Sequence, residues 1–398
     1  MTLRTLPCRA FQHGFALGAR LLPWRTPIVL SGADSLLKLP DVFSREGASR
    51  PLVVASRRQC ADERFLALRA ALEGRGVRPS VFSGVEPDPS VATVEKIAAQ
   101  YRADGCDSFL VLGGGSPIDA AKVAAARVVR PDKTVAQLGG LLKVRRPLPL
   151  FIAVPTTAGT GSEATIAAVV TGEDHRKYAV SDLCLIPRYA VLDPSLTLSL
   201  PPAVTAQTGM DALTHAVEAY LSLYYNTRET RALAESAVRD IFRYLPVACR
   251  DGQSLTARER MLHASFDAGC AFTRASVGNV HAIAHTLGGL YGIPHGLACA
   301  VTLPIVLEDY GAAVWSRLAR LGSLIGLTGT ERERAEGFIA AIRALNASLG
   351  IPDRFNGIRG EDLPRMAAWA AAEANPIYPV PVVYDKARFR RVLERLRA

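Results

Sequence analysis

In the first half of the chain, apolar residues fall into short runs bounded by turn formers, at residues 27–30, 52–55, 80–82, 109–112, 150–154 and 190–192. Between them lie stretches with helical spacing, such as 62–73 and 91–101. Short apolar strands separated by helices predict βαβ units and a parallel sheet covered on both faces. After Asp193-Pro194 the strand signals stop. From about Ala203 onward apolar positions recur with helical period, punctuated by Gly and Pro. The pattern therefore predicts two domains: α/β over 1–195, with a parallel Rossmann-like sheet, and all-α over 196–398. No internal repeat or low-complexity linker separates them.

Within the α/β half, residues 109–122 read as a strand, a triple-glycine turn (Gly113, Gly114, Gly115) and a helix start. Ser116 suits the N-cap, Pro117 the first helical position, and Asp119 the third position of a capping box. Glycines without Cβ let a pyrophosphate approach backbone N–H groups at a helix N-terminus, where the dipole favours an anion. The turn is neither GxGxxG nor a P-loop, and tight packing alone also accounts for glycines there. A second loop, 154–163, follows another apolar run and is rich in hydroxyls and glycine, which suits phosphate and ribose contacts at a strand's carboxyl end.

In the helical half, Asp211 and His215 are four residues apart on one helix face, as are His281 and His285, and His295 sits in a Pro-His-Gly turn. Four of the chain's seven histidines fall in this half at these places, a concentration that packing alone does not require. Three imidazoles and a carboxylate suit a borderline divalent ion such as Zn²⁺ or Fe²⁺. No cysteine neighbours these positions closely enough in sequence to bring in soft-metal or iron–sulfur chemistry. His13, His175 and His263 lack such neighbours.

With 398 residues, 49% hydrophobic and 21% charged, the chain has the balance of a globular protein. The apolar run 297–307 is too short to span a bilayer and contains Pro304. The seven cysteines are scattered without CxxC spacing and read as reduced, mostly buried thiols of a cytoplasmic protein. The net charge of +10 is spread along the chain, with no basic tract interleaved with aromatics, so nucleic acid is not the expected partner. The first 33 residues hold Arg4, Arg9, Arg20 and Arg25 and no acidic residue. Residues 1–25 read as a basic extension of the first domain, with a helix over 11–24 packed on the body rather than a transit or membrane-surface segment.

Four stretches together, GGGSPIDAAK (113–122), PTTAGTGSE (155–163), TGMDALTHAVEAY (208–220) and HAIAHTLGGLYGIPHG (281–296), resemble the iron-containing (group III) alcohol dehydrogenases. The resemblance covers over nine-tenths of the chain. It implies a dinucleotide-binding α/β domain and an all-helical metal domain. By motif, it also implies metal ligands Asp211, His215, His281 and His295, with His285 near the substrate and nicotinamide. The cofactor residues it implies are Gly114, Gly115, Ser116, Asp119, Thr156, Thr157, Thr160 and Ser162, with Lys177 near the cofactor.

The implied activity is hydride transfer between NAD or NADP and a small alcohol or aldehyde, with Fe²⁺ or Zn²⁺ polarising the substrate oxygen. A homodimer is expected. The chain departs from its relatives after the run 52–55. Where they often place an Asp on the ribose, it has Ser56-Arg57-Arg58, which removes a carboxylate that would repel a 2′-phosphate. Glycerol-dehydrogenase-like or dehydroquinate-synthase-like enzymes of the same architecture are the alternatives, and beyond them a non-catalytic nucleotide-binding protein.

Overall fold

The computed structural model describes residues 6–172 and 177–398, so Arg4 and His175 lie outside it. The chain forms two compact units. One is Pro23–Ser199; the other contains Leu200–Ala398 and the N-terminal helix Leu6–Arg20.

The α/β unit contains β1 (Ile28–Ser31), β2 (Pro51–Val54), β3 (Ser80–Phe82), β4 (Ser108–Gly113), β5 (Gly140–Leu141), β6 (Leu150–Pro155), β7 (Ala167–Thr171), β8 (Lys177–Ser181) and β9 (Tyr189–Leu192). Six of them, one for each apolar run, form a parallel sheet in the order β1-β9-β6-β4-β2-β3. Period-two alternation sends Leu52, Val54, Phe109, Val111, Phe151 and Ala153 into one core with the helices Val91–Ala103 and Gly115–Val129. Val53, Ala55, Leu110, Leu112, Ile152 and Val154 enter a second core with Val42, Phe43, Phe65 and Leu68. Both faces are covered, which is why the runs are continuously apolar.

A second, three-stranded sheet, β5-β8-β7, has an antiparallel β7–β8 pair that the sequence pattern did not reveal. Between the two sheets runs the hydroxyl-rich loop, held by a buried lysine. Lys122 Nζ donates to the carbonyls of Ser162 (2.6 Å), Thr165 (2.7 Å) and Ala167 (3.1 Å). Burial pulls this ammonium down to about 8, opposed by Asp119 and Glu163.

In the helical unit, Pro202–Leu221 is buried along most of its length and packs against Arg228–Arg250, Leu255–Ala275 and His295–Tyr310. Asn279–Tyr291 packs on His295–Tyr310 and Leu363–Ala374. Among the described residues one segment, His295–Ala313, is long and apolar enough to cross a membrane by length and composition, and most of it is buried inside the unit.

Two expectations are corrected. The N-terminal helix spans Leu6–Arg20 and packs with the helical unit, not with the α/β domain. The cause is polar: Arg9 Nη1 donates to Gln12 Oε1 and to the carbonyl of Val380 (both 2.8 Å), Arg9 Nη2 to that of Pro381 (2.9 Å), and Gln12 Nε2 to those of Pro376 (3.1 Å) and Tyr378 (2.7 Å). Apolar periodicity cannot register a helix that docks through a buried arginine and glutamine. Nor are the cysteines mostly buried; only Cys270 and Cys299 are, and none is joined in a disulfide among the described residues.

Replacing Lys122 removes its three charge-assisted hydrogen bonds to the carbonyls of Ser162, Thr165 and Ala167. Lys122→Met is expected to destabilise the fold by about 2–4 kcal/mol, read as a lowered urea midpoint. A midpoint equal to wild type would show that the lysine does not hold the loop.

Candidate active site

Because the main sheet is parallel, the carboxyl ends of β2, β4 and β6 lie side by side: Val54 pairs with Val111 and Gly113 with Pro155. Ser56, the triple-glycine turn and Thr156-Thr157 follow these ends, the edge where open α/β sheets bind ligands. The helix after the turn begins at Gly115 with Gly114 as N-cap, and no side chain caps it. Ser116 and Asp119 therefore do not form the expected capping box. Ser116 Oγ instead accepts from the Asp88 N–H (3.3 Å), and Asp119 accepts from the Ser162 hydroxyl and the Val169 N–H (2.8 Å). An uncapped first turn keeps its N–H groups for an anion.

The glycines also admit the neighbouring loop. A Cβ on Gly114 would stand 3.0 Å from Thr157 Oγ1, and one on Gly115 would stand 2.8 Å from Thr160 Cγ2. Tight packing thus requires these glycines, and the uncapped first turn beside them remains suited to an anion. Thr156 is already engaged, its hydroxyl accepting from Gln59 Nε2 (2.8 Å) and its N–H donating to Gly113 (2.9 Å). Lys177 Nζ is paired with Asp88 (2.6 Å), the residue whose N–H meets Ser116. Ser56 caps the short helix Arg57–Cys60 through Gln59, with Arg57 and Arg58 exposed on its first turn.

In the helical unit three imidazole nitrogens surround one carboxylate oxygen. Asp211 Oδ1 lies 3.9 Å from His215 Nδ1, 3.9 Å from His281 Nε2 and 3.5 Å from His295 Nε2. These are too long for hydrogen bonds. Both Asp211 Oδ1 and His281 Nε2 are buried without a hydrogen-bond partner, a costly arrangement unless a ligand joins them. Donors that each bind one tetrahedral ion at about 2.0–2.2 Å stand roughly 3.3–3.6 Å apart, so the spacing and chemistry fit a divalent metal. His215 stacks on Phe272 (4.1 Å) and on His281 (4.4 Å). His295 opens a helix rather than sitting in a free turn.

Two carboxylates that sequence reasoning missed orient these imidazoles. Glu218 Oε2 meets His281 Nδ1 at 2.6 Å, while the carboxylate accepts from the N–H groups of Gly278 and Val280 (both 2.7 Å). Burial pushes Glu218 up to about 7, opposed by these backbone donors, and burial pushes His281 down to about 3, so its imidazole is neutral. With Nδ1–H donated to Glu218, the Nε2 lone pair faces Asp211. One turn later, His285 Nδ1 meets Glu373 Oε1 at 2.6 Å, and the Tyr378 hydroxyl donates to the same oxygen (2.8 Å). Cysteine is not absent from the cluster either: Cys299, one turn after His295, joins Asp211, His281 and His295 in a group whose donor atoms all lie within 4.8 Å of one another.

Residues 26–194 match the family described as iron-containing alcohol dehydrogenase, and residues 205–396 match the Fe-containing alcohol dehydrogenase family, C-terminal. The chain belongs to the iron-containing alcohol dehydrogenase family. It is 41% identical to 1,3-propanediol dehydrogenase of Klebsiella pneumoniae over 311 residues, 76% of this chain and 80% of that one. It is 36% identical to the probable alcohol dehydrogenase EutG of Escherichia coli (strain K12) over 352 residues, 88% of each. Among solved structures, a 1,3-propanediol oxidoreductase superposes with TM-score 0.89 at 34% identity, covering 95% of this chain and 100% of that one. An alcohol dehydrogenase from Oenococcus oeni gives TM-score 0.89 at 33% identity, covering 94% and 99%. An iron-containing alcohol dehydrogenase, rather than a glycerol-dehydrogenase-like or dehydroquinate-synthase-like enzyme, is what these similarities favour.

The approach of His295 to Asp211 depends on Gly296. A Cβ there would stand 2.3 Å from the Gln207 carbonyl oxygen and 2.8 Å from its carbon. Gly296→Ala should push the two helices apart at a cost of about 1–3 kcal/mol and lower the metal content per chain in elemental analysis, with helicity retained. Full metal content in a folded variant would show that this contact does not set the site.

Proposed function

We propose that this family member is a cytoplasmic, homodimeric alcohol dehydrogenase or aldehyde reductase that moves a hydride between NADP or NAD and a small alcohol or aldehyde. The observation that carries the reading is the buried Asp211 carboxylate faced by three imidazoles, one helical turn from a fourth imidazole held by its own carboxylate. A divalent ion, Fe²⁺ or Zn²⁺, would be held by Asp211, His215, His281 and His295 and would supply Lewis acidity toward the substrate oxygen. Glu218 fixes the tautomer of His281 and hence where its lone pair points. His285, with Nδ1 bound to Glu373, presents Nε2 for proton exchange with a substrate hydroxyl.

In the α/β unit, the first-turn N–H groups beside Gly114, Gly115 and Ser116 take the pyrophosphate, with Thr157 and Thr160 alongside. Asp119, Ser162 and Thr156 hold the loops in place, and Lys177 stands by through Asp88. That no disulfide joins the cysteines among the described residues suits a reducing compartment. Ile28 and Val29, exposed on edge strand β1, suit a second copy.

His285→Ala should keep its metal and lose about a hundredfold or more in kcat, checked by elemental analysis beside steady-state rates. Loss of metal together with rate would make His285 a ligand and undo this assignment.

The turn after β2 decides the cofactor. Ser56 and the exposed Arg57 leave the ribose edge without a carboxylate, so NADPH should serve at least as well as NADH. A charge-assisted contact to a 2′-phosphate is worth about 1.5–3 kcal/mol, roughly ten- to a hundredfold. Ser56→Asp should move the kcat/KM ratio toward NADH by about that factor. Aspartate caps a helix as well as serine does, so the short helix at Arg57 is kept. A wild-type preference for NADH, unmoved by the aspartate, would mean that this turn does not read the ribose.

A further inference from the structure

We propose that the N-terminal helix Leu6–Arg20 belongs to the catalytic apparatus: Gln12 and Arg9 position Tyr378, and through it the Glu373–His285 pair. The inference rests on His285 as the proton-exchanging group, and it gives a role to a segment outside the family match, which begins at residue 26. Arg9 and Gln12 are three residues apart on one face of this helix. Arg9 is 9% exposed and Gln12 0%. Polar side chains buried this deeply are tolerated only where hydrogen bonds offset their lost hydration. Both reach one irregular stretch, residues 376–382, which holds Pro376, Pro379 and Pro381. Proline supplies no N–H, so a stretch this rich in it has few backbone donors of its own. Its carbonyls are held from outside. Gln12 Nε2 donates to those of Pro376 (3.1 Å) and Tyr378 (2.7 Å), and Arg9 to those of Val380 (2.8 Å) and Pro381 (2.9 Å). The Tyr225 hydroxyl donates to Ile377 (3.1 Å), the Leu223 N–H to Pro379 (2.9 Å) and Asn279 Nδ2 to Val382 (3.1 Å).

Tyr378 is where this grip meets the chemistry. Its carbonyl accepts from Gln12, while its hydroxyl donates to Glu373 Oε1 (2.8 Å), the oxygen that meets His285 Nδ1 at 2.6 Å. Burial holds the Tyr378 phenol well above its ordinary range, so the hydroxyl remains a donor. The competing role for the helix is cover alone. Cover needs only apolar contact, which the rings of His13 on Tyr224 (4.0 Å) and Phe15 on Tyr225 (5.0 Å) already supply. Directional bonds from a buried guanidinium and amide do something further, which is to fix where the loop lies. Misplacing a catalytic group by about 1 Å costs roughly a hundredfold in rate.

The test is a double-mutant cycle on the full-length, metal-loaded protein, with butanal and NADPH as substrates. Gln12→Met keeps the length of the side chain and removes both donors. It should lower kcat about tenfold, with metal content per chain and the KM for NADPH unchanged. Tyr378→Phe should act in the same direction. The double variant should be no slower than the slower single variant, because both changes break one line of contacts. Leu17→Ala, on the same helix and 63% exposed, should keep the wild-type kcat. A Gln12→Met variant with a lowered urea midpoint but the wild-type kcat would show that the helix is cover alone. Losses that multiply in the double variant would equally overturn the link through Tyr378. Either result, beside a His285→Ala variant that is slow, leaves the role of His285 standing. Inactive wild type, or His285→Ala as fast as wild type, overturns the reading of the site and this inference with it. If Gln12→Met does not fold, Arg9→Lys takes its place in the cycle, with the same outcomes deciding.

Discussion

One carboxylate oxygen organises the helical unit. Asp211 Oδ1 is buried without a hydrogen-bond partner, while three imidazole nitrogens stand 3.5–3.9 Å away. Burial pushes the Asp211 carboxyl upward, and the neighbouring His215 acts most strongly against it. An arrangement of this kind is unfavourable until a cation completes it, because buried polar atoms without partners lose their hydration for nothing. The helix packing follows from the need to bring three separate helices to one atom. Asp211 and His215 come from Pro202–Leu221, His281 from Asn279–Tyr291 and His295 from His295–Tyr310. The last can come close enough only because residue 296 has no side chain.

The α/β unit meets a different requirement, which is to keep a helix N-terminus open. Side-chain caps are what most helix starts use, and the helix Gly115–Val129 has none. Asp119, which sequence logic assigned to capping, is drawn into holding the opposing loop through Ser162 and Val169, and Lys122 holds it through three carbonyls. The loop is thereby fixed against the turn while the first-turn N–H groups keep their capacity for an anion. Neutralising Lys122 or Asp119 would release the loop without touching those groups.

The fold was legible wherever one period dominated. Six apolar runs became six parallel strands, and the helical half was read from its spacing. What escaped was carried by polar contacts or by distance along the chain. The N-terminal helix docks through Arg9 and Gln12, whose partners lie more than 360 residues away in the sequence, so no local pattern could attach it to the correct unit. The small sheet has strands of two to five residues, too short to stand out. Asp211 with His215 and His281 with His285 were singled out because helical spacing puts both members of a pair on one face, and His295 because of the Pro-His-Gly turn around it. The same spacing applied to His295 and Cys299 would have found the thiol, had cysteine been sought at four residues instead of in CxxC pairs. Glu373 lies 88 residues from His285, and only the fold joins them.

His281 and His285 show how two identical side chains, one turn apart, are placed in different surroundings. Each donates or accepts at Nδ1 with a glutamate 2.6 Å away, so sequence spacing and first partner do not distinguish them. Surroundings do. The His281 side chain is 3% exposed, its glutamate is held by two backbone N–H groups, and burial keeps the imidazole neutral with a lone pair directed at Asp211. The His285 side chain is 21% exposed, and its glutamate, 30% exposed, is shared with a tyrosine hydroxyl. A neutral, desolvated imidazole fixed on both sides suits a ligand, which must not exchange protons during turnover. A partly solvated one backed by an accessible carboxylate suits a group that must exchange them. The difference between them lies in the shells around the two rings, not in the rings themselves.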